Sequence, residues 1–429
     1  MTDLEKSLFT KIDKIPIIDP HSHIDPHKPA ARSLWDILSY PYYTSLSHSS
    51  GMDPDRIKYT VPDDARARAI LEYMPGFAST AQFRWFADML TDFFDLPADI
   101  SADWNVDAII DHCESRLQSA DWSAHIKNVS NIKAVFTSHP LKDDLDGIDL
   151  NFYIPSLRVD DLVLSFESKE VRARLIETTD IQVTNANSLR LALHKVFDRL
   201  TRYNLAACTT SLPPDLSLSF ASETKIDGLV AKATRGDFFT PEERNQMATF
   251  TLFELAQRCQ EHQVPMHILF GVIRDVYDHG VINGTDLFDQ RCSLVELHKL
   301  FNAFPNVKFP VSVISHAQNH ELIAYAWIYH NVYAQGHWWY SNLPAFIFDD
   351  LCARMHSLPA NKMIGYFSDA HSLEFVLPKF RMYKRELAKI LAREYVTGLN
   401  WSEERAIELA RDILYRNVVE LYGLQTVKE

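Results

Sequence analysis

Three residues at opposite ends of the sequence have the side chains of a metal-ligand set. His21 and His23 end a short apolar run near the amino terminus, and Asp369 ends another near the carboxyl terminus. Alternate residues of a strand share a face, so both imidazoles should point the same way. Two imidazoles, a carboxylate and an open position are typical of a catalytic metal centre rather than a structural one. We expect one divalent metal, zinc by preference, on these three residues.

Each of these residues also has an ordinary structural interpretation. A histidine on an apolar run is often a core or surface residue, so the His-x-His pair alone is a weak signal. Asp369 precedes Ala370-His-Ser-Leu and would serve as the N-cap of a helix starting there. The ligand interpretation is favoured because a single fold would bring the three together.

That fold follows from eight apolar runs, most of them near-continuously apolar as in parallel strands buried on both faces. The runs are Ile15–His23, Ile132–Ser138, Phe152–Arg158, Asn204–Thr210, Val264–Phe270, Phe309–His316, Val332–Trp339 and Met363–Ala370. Helical patterns lie between them, including one that opens at Pro241. The alternation predicts an α/β fold, a (β/α)8 TIM barrel, in which the last strand lies beside the first.

One region interrupts the alternation. Residues 33–131 contain no convincing strand and predict a mostly helical insertion after strand 1. We therefore divide the chain into residues 1–32, with the first strand, the insertion at 33–131, and the rest of the barrel at 132–429. The insertion would leave the barrel at the end where active sites of this fold lie. It could cover the substrate, or it could be a stabilising appendage.

Further candidates are placed near the ends of the predicted strands. Arg158 and Arg274 could each hold a carboxylate with two hydrogen bonds, or could form plain surface ion pairs. His371, two residues after Asp369, is a candidate proton carrier.

Three histidines and a tryptophan complete this set. His267 lies within the fifth run and would be either functional or a hydrogen-bonded core residue. His316 ends the sixth run, and His337 is followed by Trp338. These last three could face the active site or could simply pack at the barrel rim.

Composition excludes several classes of partner. The chain has 429 residues, 46% of them apolar and 23% charged, which is typical of a globular protein. A net charge of -14 without a basic stripe argues against nucleic acid. Five scattered cysteines argue against a disulfide framework. No run is long enough to span a bilayer and no signal peptide is evident, so we expect a cytoplasmic protein.

The motifs resemble those of the amidohydrolase superfamily and, within it, the uronate isomerase (glucuronate isomerase) family. The matching segments are Asp19-Pro-His-Ser-His23, Leu34-Trp-Asp-Ile with Tyr42 and Gly51, Trp85–Asp95, Thr137–Asp144, Pro155-Ser-Leu-Arg158, Phe270-Gly-Val-Ile-Arg274 and Trp338-Trp339. The resemblance implies a metal-dependent aldose–ketose isomerase acting on a hexuronate, of the glucuronate-to-fructuronate type. We also expect a homo-oligomer with a small sugar acid as its substrate.

The resemblance also implies roles for individual residues. Arg158 would hold the substrate carboxylate. Independently of the resemblance, we also expect Arg274, His267, His316 and Trp338 to be substrate-binding residues. Asp369 and a second group, Tyr42 or His371, would move protons through an enediol-like intermediate.

The chain departs from the family pattern in three places. The insertion's His-Tyr-Lys-Trp-Arg block is Pro41-Tyr-Tyr-Thr-Ser45. The strand-five histidine of the family falls at Leu269, two residues after His267. The family's Asp-Ser-Arg is Asp369-Ala-His371.

Two other functions remain open at this point. One is a mononuclear metal-dependent hydrolase of the same superfamily, acting on a small carboxylate-bearing amide, ester or lactone; His316 favours it. A binuclear centre is disfavoured because the fourth run ends in Thr209-Thr-Ser211, without a bridging Lys or Glu. The other is a barrel that has lost its chemistry, which metal analysis of the pure protein would reveal.

Overall fold

The structure, a computed structural model, describes residues 1–97, 104–141, 143, 145–291 and 293–424. Its centre is a sheet of eight parallel strands in the order β1-β2-β3-β4-β5-β8-β9-β10. These strands are β1 Ile17–Ser22, β2 Ile132–His139, β3 Tyr153–Arg158, β4 Ala207–Leu212, β5 Met266–Phe270, β8 Phe309–Val313, β9 Val332–Gln335 and β10 Met363–Ile364. Each of the eight predicted runs overlaps one of them, so the α/β architecture is confirmed.

The strands are buried on both faces. All six residues of β1 and all five of β5 and β8 are buried. The two ends of the strand order are also joined. The Asp369 N–H donates to the His21 carbonyl over 3.1 Å, and the His23 N–H donates to the Ala370 carbonyl over 2.7 Å. The segment after β10 therefore lies directly beside β1.

The end of the last run differs from the prediction. β10 stops at Ile364, and Asp369 lies five residues later in irregular backbone with a left-handed φ of +55°. Nor does Asp369 cap a helix, because Ser372 is the residue before the next helical turn, Leu373–Phe375. This segment is not a regular strand, but its backbone hydrogen bonds with the end of β1 and with His23 fix its position.

The helices lie between and beyond the strands. They are α1 Asp3–Ile12, α2 Leu34–Leu38, α3 Pro41–Ser49, α4 Asp63–Tyr73, α5 Ala81–Asp92, α6 Val106–Leu117, α7 Trp122–Ser130, α8 Asp160–Leu164, α9 Lys169–Thr179, α10 Ala186–Thr201, α11 Glu223–Thr234, α12 Pro241–His262, α13 His298–Ala303, α14 His316–Ile328, α15 Pro344–Ser357, α16 Val376–Ile390, α17 Glu403–Arg411 and α18 Asn417–Tyr422. The helix expected at Pro241 begins there, with Thr240 and Glu243 forming a reciprocal capping box.

The described part of residues 33–131 contains helices α2 to α7 and no strand. Helix α5 packs on α16, where the Trp85 indole N–H donates to the Met382 sulfur over 3.3 Å and Arg381 pairs with Asp92. Residues 98–103 of this region lie outside the described part of the chain.

Two smaller features complete the fold. A hairpin not predicted from the sequence, β6 Val272–Ile273 with β7 Leu287–Phe288, follows β5. Cys113, Cys208, Cys259 and Cys352 are free thiols, while Cys292, Lys142 and Asp144 of the sequence motifs lie outside the described residues. Among the described helices, none combines the length and apolar character that a bilayer crossing requires.

Candidate active site

A cavity of about 440 Å³ opens at the carboxyl ends of the parallel strands. Eight of the residues singled out in the sequence line it: His21, His23, Tyr42, Arg158, Arg274, Trp338, Asp369 and His371. Carboxyl ends of parallel strands are where ligands of such folds bind. The fold therefore brings most of the predicted site residues into one space.

The three predicted metal ligands converge at this cavity. The Asp369 Oδ1 atom lies 3.3 Å from His21 Nε2 and 3.2 Å from His23 Nε2. Tetrahedral zinc, with bonds of about 2.0–2.1 Å, separates its ligand atoms by about 3.3 Å. The Asp369 Oδ1 atom is buried and has no hydrogen-bond partner among the described residues. A buried, unpartnered carboxylate oxygen between two imidazole nitrogens fits a bound divalent cation.

The ionisation states suit the same interpretation. Burial lowers the pKa of His23, which favours the neutral imidazole that a metal requires. Burial opposes ionisation of Asp369, but its contacts with His21 and His23 outweigh burial and hold the pKa of Asp369 well below its usual range. The site thus offers a neutral nitrogen on His23 and an anionic oxygen on Asp369.

Asp19, which the sequence reasoning did not assign a role, holds the segment that carries Asp369. Its Oδ1 atom accepts from the Ser368 N–H over 2.9 Å, and its other oxygen accepts from the Ser368 hydroxyl. Asp19 is fully buried, and burial raises its pKa to about 7. Its place in the Asp19-Pro-His-Ser-His23 motif was the available signal.

His267 lies behind the ligands rather than on the cavity surface. Its ring centroid is 5.3 Å from that of His21, and its Nε2 atom is 2.8 Å from the Ser312 hydroxyl. Burial lowers the pKa of His267 well below its usual range, and the neighbouring His21 makes a smaller contribution in the same direction. A neutral, hydrogen-bonded histidine in this position supports the His21 ring.

His316 and His337 do not line the cavity. His316 is the first residue of α14, and its Nδ1 atom lies 2.5 Å from an oxygen of the buried Asp350. His337 is buried below the rim, with its Nδ1 atom 3.7 Å from the other Asp350 oxygen. Both histidines therefore face Asp350 instead of the metal ligands.

Two arginines supply positive charge to the cavity, and each is held by an aspartate. Arg158 contacts Asp160 through Nε and Nη2, both at 2.8 Å, and Asp160 also accepts from the Ser211 N–H. Arg274 contacts Asp286 over 2.6 Å. Asp286 lies in the loop of the β6–β7 hairpin, so an element that was not predicted completes this side of the cavity.

The opposite side is aromatic and includes a residue that the sequence reasoning missed. Tyr40 lines the cavity beside Tyr42, with ring centroids 5.1 Å apart, and lies 5.0 Å from the His371 ring. Behind it is Lys379 of α16, which is fully buried and whose pKa is lowered by burial to about 8. Lys379 has no distinguishing sequence signal, because lysine on an amphipathic helix is normally exposed.

A second group with ligand atoms close together is His194, Asp198 and His262. It lies on α10 and α12, outside the cavity, and His194 and Asp198 are about half exposed. Arg258 approaches the ring of His194 at 3.4 Å. This group is a surface ion-pair cluster rather than part of the site.

Comparison with known proteins identifies relatives over nearly the whole chain. A family model described as glucuronate isomerase matches residues 1–422. Uronate isomerase of Thermotoga petrophila is 20% identical over 433 residues, covering 95% of this chain and 94% of its own. Uronate isomerase of Xanthomonas oryzae is 22% identical over 455 residues, covering 97% and 94%.

The fold is also that of a solved relative. The crystal structure of uronate isomerase from Thermotoga maritima superposes with a TM-score of 0.88, at 18% identity and with 98% of each chain covered. The shared fold therefore extends over nearly the whole of both chains.

Proposed function

Since the chain belongs to the glucuronate isomerase family and is an isomerase, we propose that it converts a hexuronate between its aldose and ketose forms, as glucuronate to fructuronate. The observation that carries the proposal is one cavity lined by His21, His23 and Asp369 on one side and by Arg158 on another. A metal-ligand set can polarise sugar oxygens once a metal is bound, and an arginine can bind a carboxylate, so the two together suit an isomerase of sugar acids.

His21, His23 and Asp369 would hold one divalent metal, with zinc suited to two imidazoles and a carboxylate. When bound, the metal supplies Lewis acidity that polarises the oxygens of the sugar. His267 and Asp19 support this set from behind, through the His21 ring and the Ser368 segment. Such supporting contacts orient ligands in metal sites generally.

The proton transfers fall to residues that line the cavity. Aldose–ketose isomerisation removes a proton from C2, delivers one to C1, and moves a hydroxyl proton from O2 to O1. We assign Asp369 as one proton-transfer group and Tyr42 or His371 as the second, because all three line the same cavity. Substituting Tyr42 and His371 separately by Phe and Asn would distinguish the two candidates for the second role.

The substrate carboxylate is assigned to Arg158, with Arg274 as a second cation and Trp338 as an apolar contact. His316 does not line the cavity, so the observation that favoured a hydrolase is absent. For that reason no second function is proposed.

The proposal extends to the architecture. The backbone bonds from residues 369 and 370 to β1 support a closed (β/α)8 barrel. Residues 33–131 would form the helical insertion that covers the site, since Tyr40 and Tyr42 reach the cavity from the start of α3.

The test is isomerisation by the pure, metal-loaded protein. We expect glucuronate to be converted to fructuronate, with loss of conversion on exhaustive chelation and recovery on adding zinc. Asp369→Asn should reduce conversion by about a thousandfold or more, because it removes both a ligand and a proton-transfer group. Absence of conversion of glucuronate and other hexuronates by protein with one metal per chain would refute the proposal.

A further inference from the structure

Lys379 is an unusual residue because it is a buried cation without a carboxylate partner in the described structure. Its ammonium donates to the Tyr40 hydroxyl over 2.7 Å. The rings of Tyr40, Tyr42 and Trp85 surround it, with centroids 4.9, 5.4 and 4.7 Å from the nitrogen. Burying an ammonium is costly unless other groups replace water, and aromatic faces do so in part. This arrangement fixes both Lys379 and Tyr40.

Tyr40 continues the contact to the metal-ligand segment. With its oxygen accepting from Lys379, its O–H donates to the backbone carbonyl of Asp369 over 2.9 Å. Asp369 has a φ of +55°, a conformation that is uncommon for residues with a side chain, so a contact with its backbone contributes to keeping it. In this conformation its carboxylate oxygen lies 3.3 Å from His21 Nε2 and 3.2 Å from His23 Nε2.

We propose that Lys379 and Tyr40 act together as positioning residues for the metal centre. Lys379 fixes the Tyr40 phenol, and Tyr40 holds the Asp369 carbonyl so that the carboxylate stays between the two histidines. The inference rests on the metal site of the proposed function and deepens it, since it assigns two residues outside the ligand set to metal affinity. Neither residue was predicted to have a role.

The test measures zinc affinity of the full chain by competition with a chelator. Tyr40→Phe removes only the hydroxyl and should weaken zinc binding by about tenfold, at the lower end for loss of a contact that orients a ligand. Tyr43→Phe is the matched control. Tyr43 is the next tyrosine but one, fully buried, with a hydroxyl that has no hydrogen-bond partner among the described residues. Its removal should leave zinc affinity unchanged.

The Lys379→Met variant tests whether zinc binding becomes tighter or weaker. Removing a positive charge near the centre should by itself tighten zinc binding, because repulsion is lost. Loss of the Tyr40 position should weaken binding instead, and we expect this second effect to prevail. Lys384→Met is the control on the same helix, since Lys384 is also buried but donates to the carbonyls of Asp13 and Ile15. It should not change zinc affinity.

The double variant tests whether Lys379 acts through Tyr40. In the Tyr40→Phe background, Lys379→Met should no longer weaken zinc binding, and it should recover thermal stability because it removes a buried cation left without an acceptor. The inference would be overturned if Tyr40→Phe bound zinc as tightly as the parent. It would also be overturned if Lys379→Met and Lys384→Met weakened zinc binding equally. Parent protein that binds zinc but lacks isomerase activity would refute the proposed function and leave this inference standing.

Discussion

At the scale of single residues, Arg158 shows how a cation can be kept ready for a substrate. Two of its nitrogens contact one oxygen of Asp160, while the other oxygen of Asp160 accepts from the Ser211 N–H. The guanidinium is therefore oriented before any substrate arrives, and less conformational entropy is lost on binding. Orientation of this kind is a property of the Arg158–Asp160 pair.

We expect Arg158→Met to raise the KM for the sugar acid by about 10- to 100-fold, the equivalent of about 1.5–3 kcal/mol for a hydrogen bond to a charged group. The value of kcat should fall less, because the proposed function assigns Arg158 to the substrate carboxylate and not to the reacting carbons. Steady-state kinetics measures both. Arg174→Met is the control, since Arg174 pairs with Asp161 outside the cavity lining. An unchanged KM for Arg158→Met would remove Arg158 from substrate recognition.

At the scale of elements, the turn after β9 must pass close to the segment that follows β10. Gly336, directly after β9, has a φ of +55°, and a Cβ there would overlap the ring of Phe367. Phe367 in turn packs edge-on against His21, with centroids 5.3 Å apart. Only glycine combines this backbone conformation with this close approach.

Gly336→Ala should lower the free energy of unfolding by about 3 kcal/mol, because left-handed strain and steric overlap add. Gly236→Ala is the matched control: Gly236 has a φ of +83°, but no neighbouring atom lies within 4 Å of the position that a Cβ would occupy. It should lose only about 1–2 kcal/mol, from the backbone alone. Urea unfolding of the two variants measures the difference. Equal decreases in the free energy of unfolding would show that the Phe367 ring moves aside with no energetic penalty.

At the scale of the whole molecule, helices near the carboxyl terminus make stabilising contacts with the amino-terminal segment. Lys384 of α16 donates to the carbonyls of Asp13 and Ile15 over 3.0 and 2.8 Å, immediately before β1. Arg393 pairs with the buried Glu5 of α1 over 2.7 Å. The carboxyl-terminal helices thus bind helix α1 and the segment between α1 and β1.

The contribution of Lys384 to the free energy of unfolding should depend on pH. Burial lowers the pKa of Lys384 from 10.5 to about 8, so between these values the unfolded chain binds a proton that the folded chain has released. The free energy of unfolding of the parent should therefore rise relative to that of the Lys384→Met variant as the pH increases from about 8 to 10.5. The expected slope is about 1 kcal/mol per pH unit. Chemical denaturation across this range tests it, with the exposed Lys6→Met as control. A difference that stays constant with pH would contradict the expectation.

The sequence by itself determined the local features of this protein. Mostly apolar runs predicted all eight parallel strands, because most residues of a strand buried on both faces are apolar. The spacing of His21 and His23 placed two imidazoles on one side of the chain, since side chains alternate along extended backbone. Pro241 marked the start of a long helix for an equally local reason, its compatibility with a first helical turn.

Only the tertiary structure decided which distant residues meet. It placed Asp369 beyond the last strand, in a segment held by Asp19, and it placed Tyr40 and the buried Lys379 beside that segment. It also turned His316 towards Asp350 and brought Asp286 in on a hairpin. Periodicity reports which face of its own element a residue occupies. Contacts between residues of different elements depend instead on how the packed elements fit together.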